Sequence, residues 1–137
     1  MSIRGQLPLV VAGRAVTITG GPFDALPEGA FGVCLETQAV KAWLADVLLP
    51  TPDFGLPEPA ALKAAVGQVL AQLEAEPDRP VHVGCKAGVG RTGVFLAALA
   101  RAAGVEGDAL DYVRAHYLAH AAETPAQQAM ARGFTWP

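Results

Sequence analysis

Apolar and polar positions change their spacing several times along this 137-residue chain. Residues 6–12 and 14–19 are short apolar and β-branched runs around Gly13, which predicts two strands or a hairpin. Gly20, Gly21, Pro22 and Pro27 then mark a loop, and Phe31 to Leu35 is an apolar run of strand length carrying Cys34. After Glu36-Thr37 the pattern predicts a short helix over 38–45 and a further strand from Ala45 to Leu49. Pro50-Thr51-Pro52-Asp53-Phe54-Gly55-Leu56-Pro57 has proline or glycine at four of its eight positions, which keeps it out of regular structure. Pro59 suits a first helical position, and Leu62, Val66, Val69, Leu70 and Leu73 then recur at helical spacing until Glu76-Pro77. Val81 to Cys85 is a short strand, and Val94 to Ala103 is apolar on nearly every face, the pattern of a central buried helix ended by Gly104. Asp108 is placed to cap another helix with Leu110, Val113 and Tyr117 facing the core, and a last helix opens at Thr124-Pro125 and runs to about Arg132. Strands fill mostly the first half and helices the second, around a strand–helix–strand–helix unit between 45 and 103. This predicts an α/β fold with a mostly parallel central sheet flanked by helices.

Composition narrows the partners. The chain is 52% apolar and 17% charged, the balance of a compact soluble protein, and its length suits one domain, residues 1–137, that buries about two-thirds of its unfolded surface. No apolar run nears the roughly 20 residues of a membrane span, and the first residues lack the pattern of a signal peptide, so a cytoplasmic protein is expected. A net charge of −3 with scattered Lys and Arg argues against nucleic acid or an acidic membrane as partner. An anion would have to be held locally, and a monomer is expected. Cys34 and Cys85 are too few for a disulfide framework, and the three histidines show no spacing that gathers a metal, so neither metal nor cofactor is expected.

The local chemistry concentrates in Val81-His-Val-Gly-Cys-Lys-Ala-Gly-Val-Gly-Arg-Thr-Gly93. A strand ends at Cys85, a loop with Gly84, Gly88, Gly90 and Gly93 follows, and a helix opens behind Arg91. Backbone N–H groups at such a helix start form an anion site, and its positive end together with Arg91 favours a thiolate at Cys85. The five-residue spacing from Cys85 to Arg91 lets Lys86, Ala87, Gly88, Val89 and Gly90 curl around one tetrahedral anion, with the Arg91 fork on two of its oxygens. In-line attack by the thiolate would give a cysteinyl-phosphate that water must remove. By itself, Asp53 reads as a solvated turn aspartate, Thr92 as a hydroxyl in a first helical turn, and Thr124-x-x-Gln127 as a capping box. Cys34 reads as a small core residue, the alternative being a disulfide with Cys85 if their Cα atoms lie within about 7 Å.

Cys85-Lys-Ala-Gly-Val-Gly-Arg-Thr-Gly93 resembles the phosphate-binding loop of the cysteine-dependent protein tyrosine phosphatase superfamily, above all its small dual-specificity-like members. The likeness runs from about Phe31 to Arg132. It implies a phosphomonoester hydrolase with Cys85 as nucleophile, Arg91 and the 86–92 backbone as phosphate cradle, and Thr92 assisting the departing sulfur. It further implies Asp53 as general acid on the 52–57 loop, and Gln127 or Gln128 as the residue that positions water. The implied substrate is a phosphorylated protein or a small phosphomonoester, and no cofactor is implied. One lysine on the rim, Lys86, and no room for an extra recognition loop point to a shallow site for phosphotyrosine together with phosphoserine or phosphothreonine. Where the family usually has histidine before the nucleophile, this chain has Gly84; His82 lies two residues, about 6.6 Å, further back. That departure keeps a catalytically silent phosphate-binding module as the alternative. Gly88-x-Gly90-x-x-Gly93, with Asp111 beyond it, also fits a dinucleotide fingerprint, but that motif explains neither Cys85 nor Arg91 and lacks a following strand for the acid.

Overall fold

The computed structural model describes residues 1–137. Its strands are β1 (Gly5–Val11), β2 (Arg14–Pro22), β3 (Phe31–Cys34), β4 (Val47–Leu48) and β5 (Val81–Cys85). The helices are α1 (Pro59–Ala75), α2 (Gly90–Ala102), α3 (Ala109–His116) and α4 (Pro125–Gly133). One sheet has the order β1-β2-β5-β3-β4, parallel throughout except for the β1–β2 hairpin at its edge. Val11 pairs with Arg14, so the hairpin loop is Ala12-Gly13, both left-handed at φ 50° and 77°. Two positive φ values give the turn whose twist matches that of the strands.

Two segments depart from the sequence-based expectation. Gly20, Gly21 and Pro22 extend β2 instead of forming a loop, because β5 pairs with them as Gly20↔Val83, Gly21↔Gly84 and Pro22↔Cys85. The helix expected over 38–45 contracts to a 3-10 turn at Ala42–Leu44, and the strand after it to Val47–Leu48. Val40, Trp43 and Leu44 are exposed, so the apolar pattern there buries little that would hold a longer helix.

The two faces of the sheet differ. Leu7, Leu9, Val16, Ile18, Val33, Val81 and Val83 join Leu62, Val66, Val69, Phe95, Leu99, Leu110 and Val113 in one core with the helices. Helix α2, buried from Gly90 through Ala100, packs against α1, α3 and α4, which explains its apolar periphery. The other face carries Gly32, Cys34, His82 and Gly84 beside a 3-10 turn, Phe23–Ala25. A Cβ on Gly32 would meet the Phe23 ring at 3.0 Å, so the turn packs close against the sheet at Gly32. His82 is fully buried there, with Nδ1 2.9 Å from Thr19 Oγ1 and Nε2 3.0 Å from the Pro22 carbonyl. Burial lowers its pKa and keeps the ring neutral.

Candidate active site

Strand β5 ends at Cys85 and α2 begins at Gly90, so the 86–89 loop is a short bend between the sheet and the most buried helix. No side chain caps the start of α2, which leaves its first N–H groups open to the cleft. The Cys85 sulfur accepts the Gly88 N–H at 3.2 Å and the Thr92 hydroxyl at 3.1 Å. Thr92 is thus turned to the sulfur and not to a backbone carbonyl. Gly88 has φ +79°, and a Cβ there would lie 2.3 Å from Gly21 Cα, so both conformation and space require glycine. Gly84 is equally confined: a Cβ would come within 2.5 Å of the N and Cα of Phe23. The space that any side chain at position 84 would enter is filled by the backbone that follows β2.

Arg91 lies in the first turn of α2 with its side chain 2% exposed. Its Nη1 donates to the Thr51 carbonyl at 2.8 Å and to Glu36 Oε1 at 3.2 Å, and Nη2 pairs with Asp53 Oδ1 at 3.4 Å. Glu36 had no role in the sequence reading. Its signal was position: it follows β3 at the same sheet edge on which β5 presents Cys85, where a carboxylate can reach the arginine. Asp53 is 53% exposed and also accepts the Phe54 N–H. Phe54, left-handed at φ 57°, stands exposed beside it.

Gln127 is fully buried at the opening of α4. Its Oε1 accepts the N–H groups of Glu123 and Thr124, its own N–H donates to Thr124 Oγ1, and Nε2 donates to the Gly55 carbonyl at 3.1 Å. The capping box is therefore present, and the same amide ties α4 to the loop that carries Asp53. Gln128 instead donates to the carbonyls of Ala122 and Glu123. A cleft of about 360 Å³ brings together Asp53, Phe54, Cys85, Lys86, Arg91 and Gln127. Lys86 and Ala87 stand exposed on its rim, Val89 is half-buried, and Gly88 and Gly90 are buried. No group of three or more His, Cys, Asp or Glu converges as metal ligands do.

Cys34 pairs with Gly84 across β3 and β5, so the pleat turns it to the opposite face from Cys85. Its thiol donates to the Glu36 carbonyl at 3.1 Å, and burial raises its pKa. A bond to Cys85 would require backbone movement, and both cysteines are free.

Residues 49–134, well over half the chain, match the family model described as "Tyrosine phosphatase family". The chain belongs to the tyrosine phosphatase family. It is a cysteine-dependent phosphatase whose active-site loop is Cys85 to Arg91. No curated protein sequence matches the chain. Solved tyrosine phosphatase-like structures share its fold. A kinase associated phosphatase with its catalytic cysteine replaced by serine matches at TM-score 0.67 and 14% identity, over 96% of this chain and 93% of that one. A putative protein tyrosine phosphatase from Leishmania major matches at 0.66 and 18%, over 99% and 100%. PTPMT1 in complex with PI(5)P matches at 0.61 and 21%, over 85% and 87%. The fold likeness thus takes in the first thirty residues, from which the sequence carried no family signal.

Proposed function

We propose that the protein hydrolyses phosphomonoesters with a preference for aryl phosphates, phosphotyrosine in proteins among them, and accepts phosphoserine and phosphothreonine more slowly. The observation that carries this reading is the Cys85 sulfur held by the Gly88 N–H and the Thr92 hydroxyl, beside an arginine fixed in place by Thr51 and Glu36. Both donors fix the sulfur at the floor of the cleft, and the buried Arg91 is preorganised for two phosphate oxygens without losing side-chain freedom on binding. The exposed Phe54 offers an apolar wall at the mouth of the cleft to the ring of an aryl ester. The Thr92 hydroxyl on the Cys85 sulfur, placed for the release of a thiolate that a silent phosphate-binding module would never form, favours an enzyme.

In this reading the Cys85 thiolate attacks phosphorus in line, an S–P bond forms, and the bond to the leaving oxygen breaks. The N–H groups of the 86–91 backbone and Arg91 meet the charge on the equatorial oxygens, the kind of preorganised electrostatics that often dominates catalysis. Bound phosphate competes with Asp53 for Arg91, and the released carboxylate takes a proton from solvent and delivers it to the leaving oxygen. Asp53 then takes a proton from the water that attacks the cysteinyl-phosphate, while the Thr92 hydroxyl stabilises the departing thiolate. Gln127, bound to Gly55, holds the Asp53 loop over the cleft and borders the site where that water enters. We read the chain as a monomeric, single-domain, cytoplasmic enzyme that acts on a phosphorylated protein or small phosphomonoester and has neither nucleic acid nor membrane as partner. A net charge of −3 with scattered Lys and Arg supports the reading without nucleic acid, and no helix is long and apolar enough to cross a membrane.

The role of Asp53 is tested by Asp53→Asn with esters of graded leaving group. The variant should lose about 10²–10⁴-fold in kcat/KM on a phosphoserine peptide and far less on p-nitrophenyl phosphate, whose phenolate leaves unaided. Equal losses on both would reject Asp53 as the acid. Phosphatidylinositol phosphates belong in the same panel, where turnover above that of phosphotyrosine peptides would reject the proposed preference.

A further inference from the structure

Three successive carbonyls of the active-site loop are held from outside the cleft. Arg4 Nη1 donates to Ala87 O at 3.4 Å, the Tyr117 phenol donates to Gly88 O at 2.7 Å, and the Ala122 N–H donates to Val89 O at 3.2 Å. A trans peptide is planar, with its C=O and N–H pointing in opposite directions, so each carbonyl drawn outward turns the following N–H inward. The first peptide shows the result, because the Gly88 N–H reaches the Cys85 sulfur at 3.2 Å. The second peptide joins Gly88 to Val89, and its carbonyl is the one on Tyr117.

We propose that Tyr117 is a positioning residue of the phosphatase reaction: its phenol fixes the Gly88–Val89 peptide so that the Val89 N–H faces the phosphate. This rests on the reading of residues 86–91 as the phosphate cradle. The side chain is built into the fold for this reach. Tyr117 follows α3, lies buried, and crosses the β1–β2 hairpin where only glycines fit. A Cβ would come within 2.7 Å of its ring and phenol oxygen at Gly20, and within 3.0 Å of its ring at Gly5. Gly88 itself stands at φ +79°, a conformation from which the unheld peptide would readily rotate. Burial, and after it the charge at Cys85, raise the phenol pKa, so the hydroxyl stays a donor throughout the working pH range.

The test is Tyr117→Phe, which removes the donor and keeps the ring. Orthovanadate serves as the oxyanion probe, its inhibition constant measured beside kcat/KM on p-nitrophenyl phosphate and the rate of Cys85 alkylation by uncharged iodoacetamide. Orthovanadate binding and kcat/KM should both weaken about tenfold, below the loss typical when an oxyanion donor is deleted outright. Alkylation should change less than about twofold, because the Gly88 N–H on the sulfur belongs to the preceding peptide. Unchanged vanadate affinity would overturn the proposal, and so would an equal change in alkylation, which would mark a general loosening of the loop. If Tyr117→Phe does not fold, Tyr117→Met removes the same phenol while filling the buried space, and unchanged vanadate affinity there overturns the proposal. A wild-type protein that binds no orthovanadate would instead refute the phosphate cradle itself.

Discussion

Replacing Gly84 by alanine adds a single methyl group immediately before Cys85, and its effect can be worked from distances. The new Cβ would lie 2.5 Å from both N and Cα of Phe23 and 2.9 Å from the Gly21 carbonyl oxygen. All three are backbone atoms. None can turn aside as a side-chain end would, and Phe23 is itself fully buried. Relief requires the 23–25 turn to move off the sheet, away from the Pro22 carbonyl that His82 meets. Overpacking of this kind costs about 1–3 kcal/mol, and backbone contacts this short place Gly84→Ala near the upper end, about 3 kcal/mol. For a chain of this length, that corresponds to a fall in Tm of about 10 °C. Thermal unfolding followed by far-UV circular dichroism, with urea unfolding at fixed temperature as a second measure, reads this directly. Gly84→His should be worse still, so restoring the residue usual in the family should harm this protein. A Tm within about 2 °C of the unmodified chain would show that the Phe23 segment yields freely, and the steric reason for Gly84 would be wrong.

Two further predictions concern the supporting structure. Burial lowers the His82 pKa below its ordinary 6.5, so the unfolded chain takes up a proton that the folded one refuses. The stability due to neutral His82 is present above pH 6.5 and is lost as pH falls below that value toward the folded-state pKa. Urea unfolding at pH 8 and pH 5.5 should show a larger loss on acidification for the unmodified chain than for His82→Gln, and equal losses would contradict this. In the hairpin, Ala12 holds φ 50° next to Gly13, a conformation that asparagine tolerates better than alanine. Ala12→Asn should stabilise by about 0.5–1 kcal/mol in urea unfolding, and no gain would remove the argument from backbone strain.

Most of the fold was legible because its elements carry their own signals. Helix α1 declared itself through Pro59 and the Leu62-Val66-Val69-Leu73 stripe, and β5 with α2 through an apolar strand, a glycine-rich bend and an all-apolar helix. The Gly20–Pro22 stretch was misread because local turn propensity was overruled by pairing with β5, a partner some sixty residues away. The same limit governed the site. Cys85, Arg91 and Thr92 share one motif, and Asp53 its own loop, so sequence brought them together. Glu36 and Tyr117 reach the loop from distant segments through single hydrogen bonds, and no spacing rule records such contacts. Gly84 looked like a missing residue in sequence. Its reason is the Phe23 backbone, visible only in three dimensions.

The most direct test of the central claim is to look for phosphate on Cys85. Rapid acid quench of the enzyme with p-nitrophenyl phosphate, followed by intact-mass and peptide analysis, should show a phosphoryl adduct confined to the Cys85 peptide. The adduct should be absent in Cys85→Ser, which should also lose turnover. In Thr92→Val the adduct should accumulate with a burst of p-nitrophenol, because the sulfur has lost the hydroxyl donor now 3.1 Å away. Turnover that persists in Cys85→Ser, or a phosphoryl group found on any other residue, would contradict the account.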